Sequence, residues 1–169
     1  MPRASDERDI YSKPGHLIRR LQQIAVAIFM TETAGFEITP VQYSALLAVR
    51  NHPGIDQTTL MEIIAFDRST IGEVVGRLEA KRLVKRVVAR SDRRARMLFI
   101  TPAGRRLLSV LTPKVNSAQG AIMATIKPAE RDYFMQIMKR LVDLNNDHSR
   151  VPLRIDDHPK RRRNTKRVR

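Results

Sequence analysis

Apolar residues recur at helical spacing along most of the chain, and interruptions of that spacing divide it into segments. Leu17, Leu21, Ile24 and Ile28 lie three or four residues apart, with polar residues between them. This period predicts an amphipathic helix, and Gly35 is a suitable residue for its end. Residues 1–13 have no such period, so we expect a flexible N-terminal arm there.

Three more helices are predicted before the middle of the chain. Thr39 can cap a helix that has Pro40 in its first turn, and residues 52–54 (HPG) end it. Asp56 and Asp67 can each cap a short helix. The apolar positions of these two short helices are Leu60, Ile63 and Ile64, and then Ile71, Val74, Val75 and Leu78. Only a few residues separate the pair, which is the layout of a helix-turn-helix.

The apolar pattern changes from helical to extended after the second short helix. Residues 83–88 and 97–100 are rich in β-branched and other apolar side chains, and the polar residues 91–94 lie between them. Two extended runs joined by a polar turn predict a β-hairpin. A hairpin directly after a helix-turn-helix predicts a wing.

Two further helices are predicted in the C-terminal part. Thr101 and Pro102 can begin the first, and Pro113 is expected to kink or interrupt it. Lys127 and Pro128 begin the second. The apolar positions are Leu108, Leu111, Val115, Ala118 and Ile122 in the first helix, and Phe134, Ile137, Met138, Leu141 and Leu144 in the second. Such seams suit helix pairing, so we expect a homodimer.

These elements predict a mainly α fold with a small β-wing. It is a winged helix-turn-helix with N- and C-terminal dimerisation helices. One domain is expected over residues 14–148, with a DNA-binding core at about residues 40–101. Apolar periodicity ends near residue 149, so residues 149–169 are expected to be a disordered basic tail.

Basic residues concentrate in two segments. The chain has 32 Lys and Arg against 17 Asp and Glu, a net charge of +15. Residues 68–106 hold 12 basic and 3 acidic residues, and residues 158–169 hold 7 basic residues and no acidic one. A solvated surface usually interleaves both signs, so these clusters indicate a polyanionic partner, for which double-stranded DNA is the best candidate.

The composition excludes several kinds of site. The absence of cysteine rules out disulfides, thiolate nucleophiles and cysteine-based zinc sites. The four histidines lie far apart in sequence, so we expect neither a metal nor a cofactor. No paired acidic site or Gly-rich phosphate loop indicates an enzyme. No apolar run could cross a bilayer and the N-terminus does not resemble a signal peptide, so we expect a cytoplasmic protein without a membrane partner.

The second short helix is the predicted recognition helix. A helix enters the major groove with its N-terminal side chains towards the base edges. Asp67 is expected to cap this helix rather than to contact DNA. The expected DNA contacts are Arg68, Ser69, Thr70, Glu73 and Arg77.

The preceding helix and the wing supply the other candidate contacts. Gln57, Thr58 and Thr59 begin the preceding helix, where free N–H groups and the helix dipole can hold a phosphate. At the tip of the wing, an arginine can reach the narrow minor groove, and a nearby carboxylate can orient it. The wing candidates are Asp92, Arg93 and Arg94, with Asp92 orienting Arg94.

Four segments resemble the MarR family of transcriptional regulators. They are residues 67–71 (DRSTI), 78–84 (LEAKRLV), 91–95 (SDRRA) and 99–104 (FITPAG). The family's wing pattern of Asp, any residue, Arg falls on Asp92 and Arg94, whereas its Leu-Thr ending is replaced by Ile100 and Thr101. The resemblance covers roughly residues 14–148. It implies a homodimer joined by its first and last helices, and an effector pocket where those helices meet the DNA-binding core. Because a dimer presents two reading heads to one duplex, we expect a palindromic operator.

A narrower resemblance points to members that control the breakdown of aromatic acids. It rests on residues 14–20 (PGHLIRR) and 39–43 (TPVQY). It implies an effector that is an aromatic carboxylate or an acyl-CoA thioester. His16, Arg19 or Arg20 could bind the anion, and Tyr43 could offer a ring face and a hydroxyl. The alternative is that Arg19 and Arg20 are solvated residues and Tyr43 belongs to the core.

The sequence therefore predicts a DNA-binding transcriptional regulator, and specifically a ligand-responsive repressor. The main alternative is a non-specific architectural protein of the nucleoid type, which the charge and the basic tail would also suit. The wing and the long terminal helices favour the site-specific regulator.

Overall fold

The computed structural model describes residues 8–88 and 96–154, within which six α-helices and three β-strands form. The helices are α1 (Pro14–Glu32), α2 (Pro40–Asn51), α3 (Gln57–Ile64), α4 (Arg68–Ala80), α5 (Pro102–Met123) and α6 (Pro128–Asn145). The strands are β1 (Ile55–Asp56), β2 (Val84–Val88) and β3 (Arg96–Ile100). Short 3-10 helices occupy Arg8–Ser12 and Asn146–His148. This order confirms the predicted mainly α fold with a small wing.

Side-chain caps determine where several helices begin. Thr39 and Gln42 form a capping box at the start of α2: the Thr39 hydroxyl accepts from the Gln42 amide at 3.3 Å, and the Gln42 side chain accepts from the Thr39 amide. Thr101 caps α5 through the Gly104 amide at 3.1 Å. Each cap satisfies an amide that has no partner within its helix, and a proline follows both caps.

The three strands form one antiparallel sheet in the order β1-β3-β2. Val84 pairs with Ile100 and Val88 with Arg96, which is the predicted hairpin of the wing. On the other side of β3, Ile55 pairs with Leu98. β1 was not predicted from the sequence, because a two-residue strand has too few positions to show a period.

The core lies between the helix-turn-helix and the sheet. Leu46, Leu60, Ile71, Leu78 and Leu98 are almost completely buried and come from four different elements. α2 packs against both α3 and α4, and it also contacts β3. Because α3 and α4 pack on this shared core, their N-termini are held in fixed positions relative to the sheet.

α1 and α5 pack against each other, and Leu111 and Ala118 of α5 are fully buried. α5 continues through Pro113 as one helix, so the proline does not divide it as it could have done. α6 has no buried residue within the described part of the chain, although it is amphipathic. Apolar side chains left exposed on α1 and α6 include Leu17, Ile18, Leu21, Ile24, Tyr133, Met138, Leu141 and Leu144.

The described part of the chain extends past α6 to residue 154. The basic tail was predicted to begin at residue 149, and the first six of its residues, 149–154, are described and make hydrogen bonds with Asn146 and Glu62. No helix among the described residues is long and apolar enough to cross a membrane.

Candidate nucleic-acid interface

Asp67 organises the first turn of α4. Its carboxylate accepts from the Ser69 hydroxyl at 2.6 Å, from the Thr70 amide at 2.9 Å and from the Thr70 hydroxyl at 2.8 Å. These bonds, above all the one from Ser69, hold the pKa of Asp67 well below its usual range. Asp67 is therefore the predicted cap, and it also fixes two of the predicted contact side chains.

The bonds to Asp67 determine what Ser69 and Thr70 can still offer. A hydroxyl has one proton to donate and two lone pairs to accept with. Both protons are directed to Asp67, so the remaining capacity of each hydroxyl is to accept. In the major groove the matching donors are the amino groups of adenine and cytosine. Arg68 lies exposed between Asp67 and Ser69 and supplies the positive charge of this turn.

Glu73 and Arg77 lie further along the same helix and pair with each other. Their side chains are 3.8 Å apart and 73% and 66% exposed, respectively. An ion pair this exposed contributes little to stability, about 0–1 kcal/mol. Arg77 can therefore exchange Glu73 for a DNA phosphate at small cost.

The start of α3 differs from the prediction. The Thr58 and Thr59 amides donate to the Asp56 carboxylate at 2.9 Å and 2.8 Å, and the Thr59 hydroxyl donates to it at 3.0 Å. These two amides are therefore not free to hold a phosphate, because the cap already uses them. What α3 offers to a ligand here is its side chains, including that of Gln57, which lies 3.5 Å from where a Cβ on Gly72 of α4 would be.

The N-termini of α3 and α4 border one open cleft of about 620 Å³. Its lining residues are Asp56, Gln57, Thr58, Thr59, Met61, Glu62, Arg68 and Arg96. The cleft thus gathers four of the predicted contact residues, namely Gln57, Thr58, Thr59 and Arg68. Arg96, the first residue of β3 and the partner of Val88 in β2, was not among the predicted contacts. The pairing of β3 with β1 brings it beside α3, and β1 was the strand that the sequence pattern did not reveal.

The wing adds exposed positive charge on β2. Lys85 and Arg86 are exposed, and the Arg86 guanidinium lies 3.1 Å from the Glu79 carboxylate of α4. This ion pair ties the wing to the recognition helix. The predicted wing-tip contacts, Asp92, Arg93 and Arg94, lie outside the described residues.

The four candidate effector residues occupy two separate places in one chain. His16 is near the start of α1, in edge-to-face contact with Tyr11 at 5.3 Å, and Arg19 and Arg20 both donate to the Gln23 side chain nearby. Tyr43 contacts Phe29 at 6.1 Å and packs against the core. Phe29 is thirteen positions after His16 in α1, which is roughly 20 Å along a helix. A single chain therefore does not bring the four together.

No group of three or more histidine or acidic side chains that could hold a metal ion occurs in the part of the chain that the structure describes.

Comparison with known proteins identifies the family. Residues 36–95 match the model of the MarR family. The PcaV transcriptional regulator of Streptomyces coelicolor, solved in complex with its natural ligand, is 34% identical, with a TM-score of 0.73 over 79% of this chain and 94% of PcaV. The chain belongs to the MarR family. The match confirms the predicted family and the predicted fold. The protein is a DNA-binding transcriptional regulator, and the family is not one of enzymes.

Two other relatives match over a similar length. The transcriptional repressor NicR of Pseudomonas putida is 29% identical over 135 residues, which are 80% of this chain and 85% of NicR. BpsR of Bordetella bronchiseptica, whose DNA binding is regulated by 6-hydroxynicotinic acid, is 28% identical, with a TM-score of 0.74 over 79% of this chain and 95% of BpsR. Similarity to MarR proteins thus covers about four fifths of the chain.

Proposed function

We propose that this MarR-family protein is a dimeric repressor that binds a palindromic operator and is released from it by a small aromatic acid or its CoA thioester. The observation that carries the DNA-binding half is the cleft that α3, α4 and Arg96 share, with Arg68 exposed beside it. A surface with cations and hydroxyl acceptors at the N-terminus of a helix suits the major groove.

The proposed DNA contacts divide by chemistry. Ser69 and Thr70 face bases as acceptors, while Arg68, Arg77 and Arg96 bind phosphates or guanine. Gln57, Thr58 and Thr59 contact the backbone through their side chains, and Glu73 holds Arg77 until DNA displaces it. Arg93 and Arg94 are proposed to contact the minor groove from the tip of the wing, with Asp92 orienting Arg94.

The effector half of the proposal rests on the relatives and on the arrangement of α1. BpsR responds to 6-hydroxynicotinic acid, an aromatic carboxylate. Arg19 and Arg20 place two cations together on the exposed face of α1, and both bond only to Gln23 among the contacts described. Because His16 and Tyr43 are far apart in one chain, we propose that the pocket joins the start of one α1 to the Tyr43 region of the second subunit.

Selection from a random duplex pool, followed by footprinting, tests the DNA half. We expect one short palindrome and a bounded footprint. Uniform coverage without sequence preference would instead support an architectural DNA-binding protein, the alternative that the charge alone allows.

A thermal-shift and operator-release assay tests the effector half. 6-Hydroxynicotinic acid, benzoate and benzoyl-CoA are the probes, and a ligand at a hundred times its Kd should stabilise the fold by about 2.7 kcal/mol. The double variant Arg19→Gln/Arg20→Gln should need at least about tenfold more effector for the same response. The matched control is Arg105→Gln/Arg106→Gln, the same double change at exposed positions on α5, and it should respond like the original protein. If no probe of either class raises the melting temperature or weakens operator binding, the proposed effector class is wrong.

A further inference from the structure

Residues 146–154 form a strap that continues the chain beyond α6. The Asn146 side chain clamps it: its amide nitrogen donates to the Leu153 carbonyl at 3.1 Å, and its carbonyl oxygen accepts from the Leu153 amide at 2.8 Å. Val151, Pro152 and Leu153 are half-buried. The strap is thus held in one geometry by a two-way hydrogen bond and by partial burial.

The end of the strap docks on α3. The Arg154 amide donates to the Glu62 carbonyl at 3.3 Å. Glu62 lies in the last turn of α3, where carbonyls have no amide donor within the helix. The Phe66 amide, which could have reached Glu62, donates to Met61 instead at 3.2 Å. The strap therefore supplies a partner for a carbonyl at the C-terminal end of α3.

This docking point is beside the candidate DNA interface. Glu62 lines the same cleft as Gln57, Arg68 and Arg96. The chain leaves the strap there and continues for 15 residues, of which seven are basic and two are acidic. The basic residues are Lys160, Arg161, Arg162, Arg163, Lys166, Arg167 and Arg169.

The length of this segment matches the dimensions of DNA. Lys160 is six residues beyond Arg154 and can lie at most about 20 Å from it, and Arg169 at most about 50 Å. One turn of the double helix is about 34 Å long. The basic residues can therefore reach phosphates up to about one turn away from the DNA that α4 occupies.

We propose that the strap is a mount that directs the basic segment, residues 160–169, onto the phosphates of the duplex flanking each half-site. The partner is the backbone of double-stranded DNA, and the contacts add affinity without reading sequence. Docking on α3 keeps the segment close to DNA that is already bound, which raises its effective concentration there. This inference rests on the DNA-binding half of the proposed function.

Two duplexes with the same selected palindrome test the proposal, one with flanks of about 2 base pairs and one with flanks of about 15 base pairs on each side. The full chain should bind the long-flanked duplex about tenfold more tightly at 0.1 M salt, with a salt slope steeper by about 0.9 for each added phosphate contact. The variant Lys160→Gln/Arg161→Gln/Arg162→Gln/Arg163→Gln should bind the short-flanked duplex unchanged and lose most of that gain. An unchanged gain in this variant would overturn the proposal.

A second variant tests the mount without changing any charge. Asn146→Ala removes both bonds to Leu153 and should lower the gain from long flanks by about threefold or more. Asn145→Ala is the matched control, because the Asn145 side chain donates within α6, to the Leu141 carbonyl at 2.7 Å, and makes no described bond to the strap. A full gain in Asn146→Ala would show that the basic segment acts without the strap, which contradicts the proposal.

The two proposals fail differently. Equal affinity for the palindrome and for a scrambled duplex would contradict the repressor function. The dependence on flank length can be measured on the scrambled duplex as well, so it still decides whether the strap and the basic segment engage flanking DNA.

Discussion

Asp67 has two roles that a single carboxylate can combine. As the cap of α4 it satisfies the Thr70 amide, and as an acceptor it orients the hydroxyls of Ser69 and Thr70. The first role can be recognised in the sequence from the position of the residue. The second depends on side-chain rotamers in the first turn and becomes visible only in the structure. Thus the first turn of the recognition helix is preorganised before DNA arrives.

Replacing Asp67 should separate these roles. Asp67→Ala should lower the urea midpoint and also weaken operator binding, because Ser69 and Thr70 lose the acceptor that orients them. Asp67→Asn retains an acceptor for the Thr70 amide without the charge. Its urea midpoint and its operator affinity should lie between those of the original protein and Asp67→Ala. Equal urea midpoints for the original protein and Asp67→Ala at pH 7 would contradict the capping role.

The stabilisation that Asp67 contributes should depend on pH. The folded-state pKa of Asp67 lies below the ordinary carboxyl value of 3.8, so folding is favoured by the ionised form. The stabilisation is present in full above that ordinary value and is lost as the pH falls through the lower, folded-state value. We therefore expect the difference in urea midpoint between the original protein and Asp67→Ala to be constant from pH 7 to pH 5 and to narrow below about pH 4.

At the scale of elements, the junction between the wing and α5 is closely packed. The Thr101 hydroxyl donates to the Arg82 carbonyl at 2.7 Å, and the Thr101 amide donates to the Leu83 carbonyl at 3.0 Å. Gly104 lies against this corner: a Cβ there would be 2.3 Å from the Leu83 carbonyl oxygen. The junction therefore connects the DNA-binding core rigidly to the helix that packs on α1.

Gly104→Ala should destabilise the fold by about 2–3 kcal/mol. An alanine normally stabilises a helix relative to glycine, by about 1 kcal/mol, but here the clash is with backbone and cannot be relieved by a rotamer change. Gly76→Ala in α4 is the control, since a Cβ at that position would meet nothing within 4 Å, and it should be neutral or stabilising. The measurement is chemical denaturation of both variants. Equal denaturation midpoints for Gly104→Ala and Gly76→Ala would contradict the close packing at Leu83.

Helices with a cap and a clear period could be predicted from the sequence, and contacts between distant segments could not. Asp56, Asp67 and Thr101 cap α3, α4 and α5 as expected, because a cap depends on residues only two or three positions away. The strand β1 and the position of Arg96 depend on pairing between residues about 40 apart. Residues 149–154 were assigned to the tail because hydrogen bonds to Asn146 and Glu62 hold them, and such bonds leave no apolar period in the sequence.

At the scale of the whole molecule, charge and apolar surface lie on different elements. The cations are concentrated on the DNA-binding core and the terminal segment, whereas α1 and α6 expose apolar side chains such as Leu21, Ile24 and Leu141. Apolar faces on two long helices mark an interface with another protein chain. A second copy of the same chain would bury both faces symmetrically and would present two recognition helices to one DNA duplex.

The substitution Leu141→Glu should therefore disrupt the proposed dimer. Leu141 is 53% exposed on the apolar face of α6, and a charge there would have to be desolvated in the interface. Gln136→Glu is the matched control, because it introduces the same residue at an exposed position on the polar face of α6. Sedimentation should give a monomer for Leu141→Glu and a dimer for Gln136→Glu.

Operator binding should follow the oligomeric state and the spacing of the half-sites. Two recognition helices on one face of the duplex must enter successive major grooves, so the half-site centres should be about 10 base pairs apart. Inserting about 5 base pairs turns one half-site to the opposite face, and the affinity of the dimer should fall to that for random DNA. Leu141→Glu should bind the original and the inserted operator equally weakly. A monomer that binds a single half-site as tightly as the dimer binds the palindrome would contradict this account, because the two half-sites would then contribute independently.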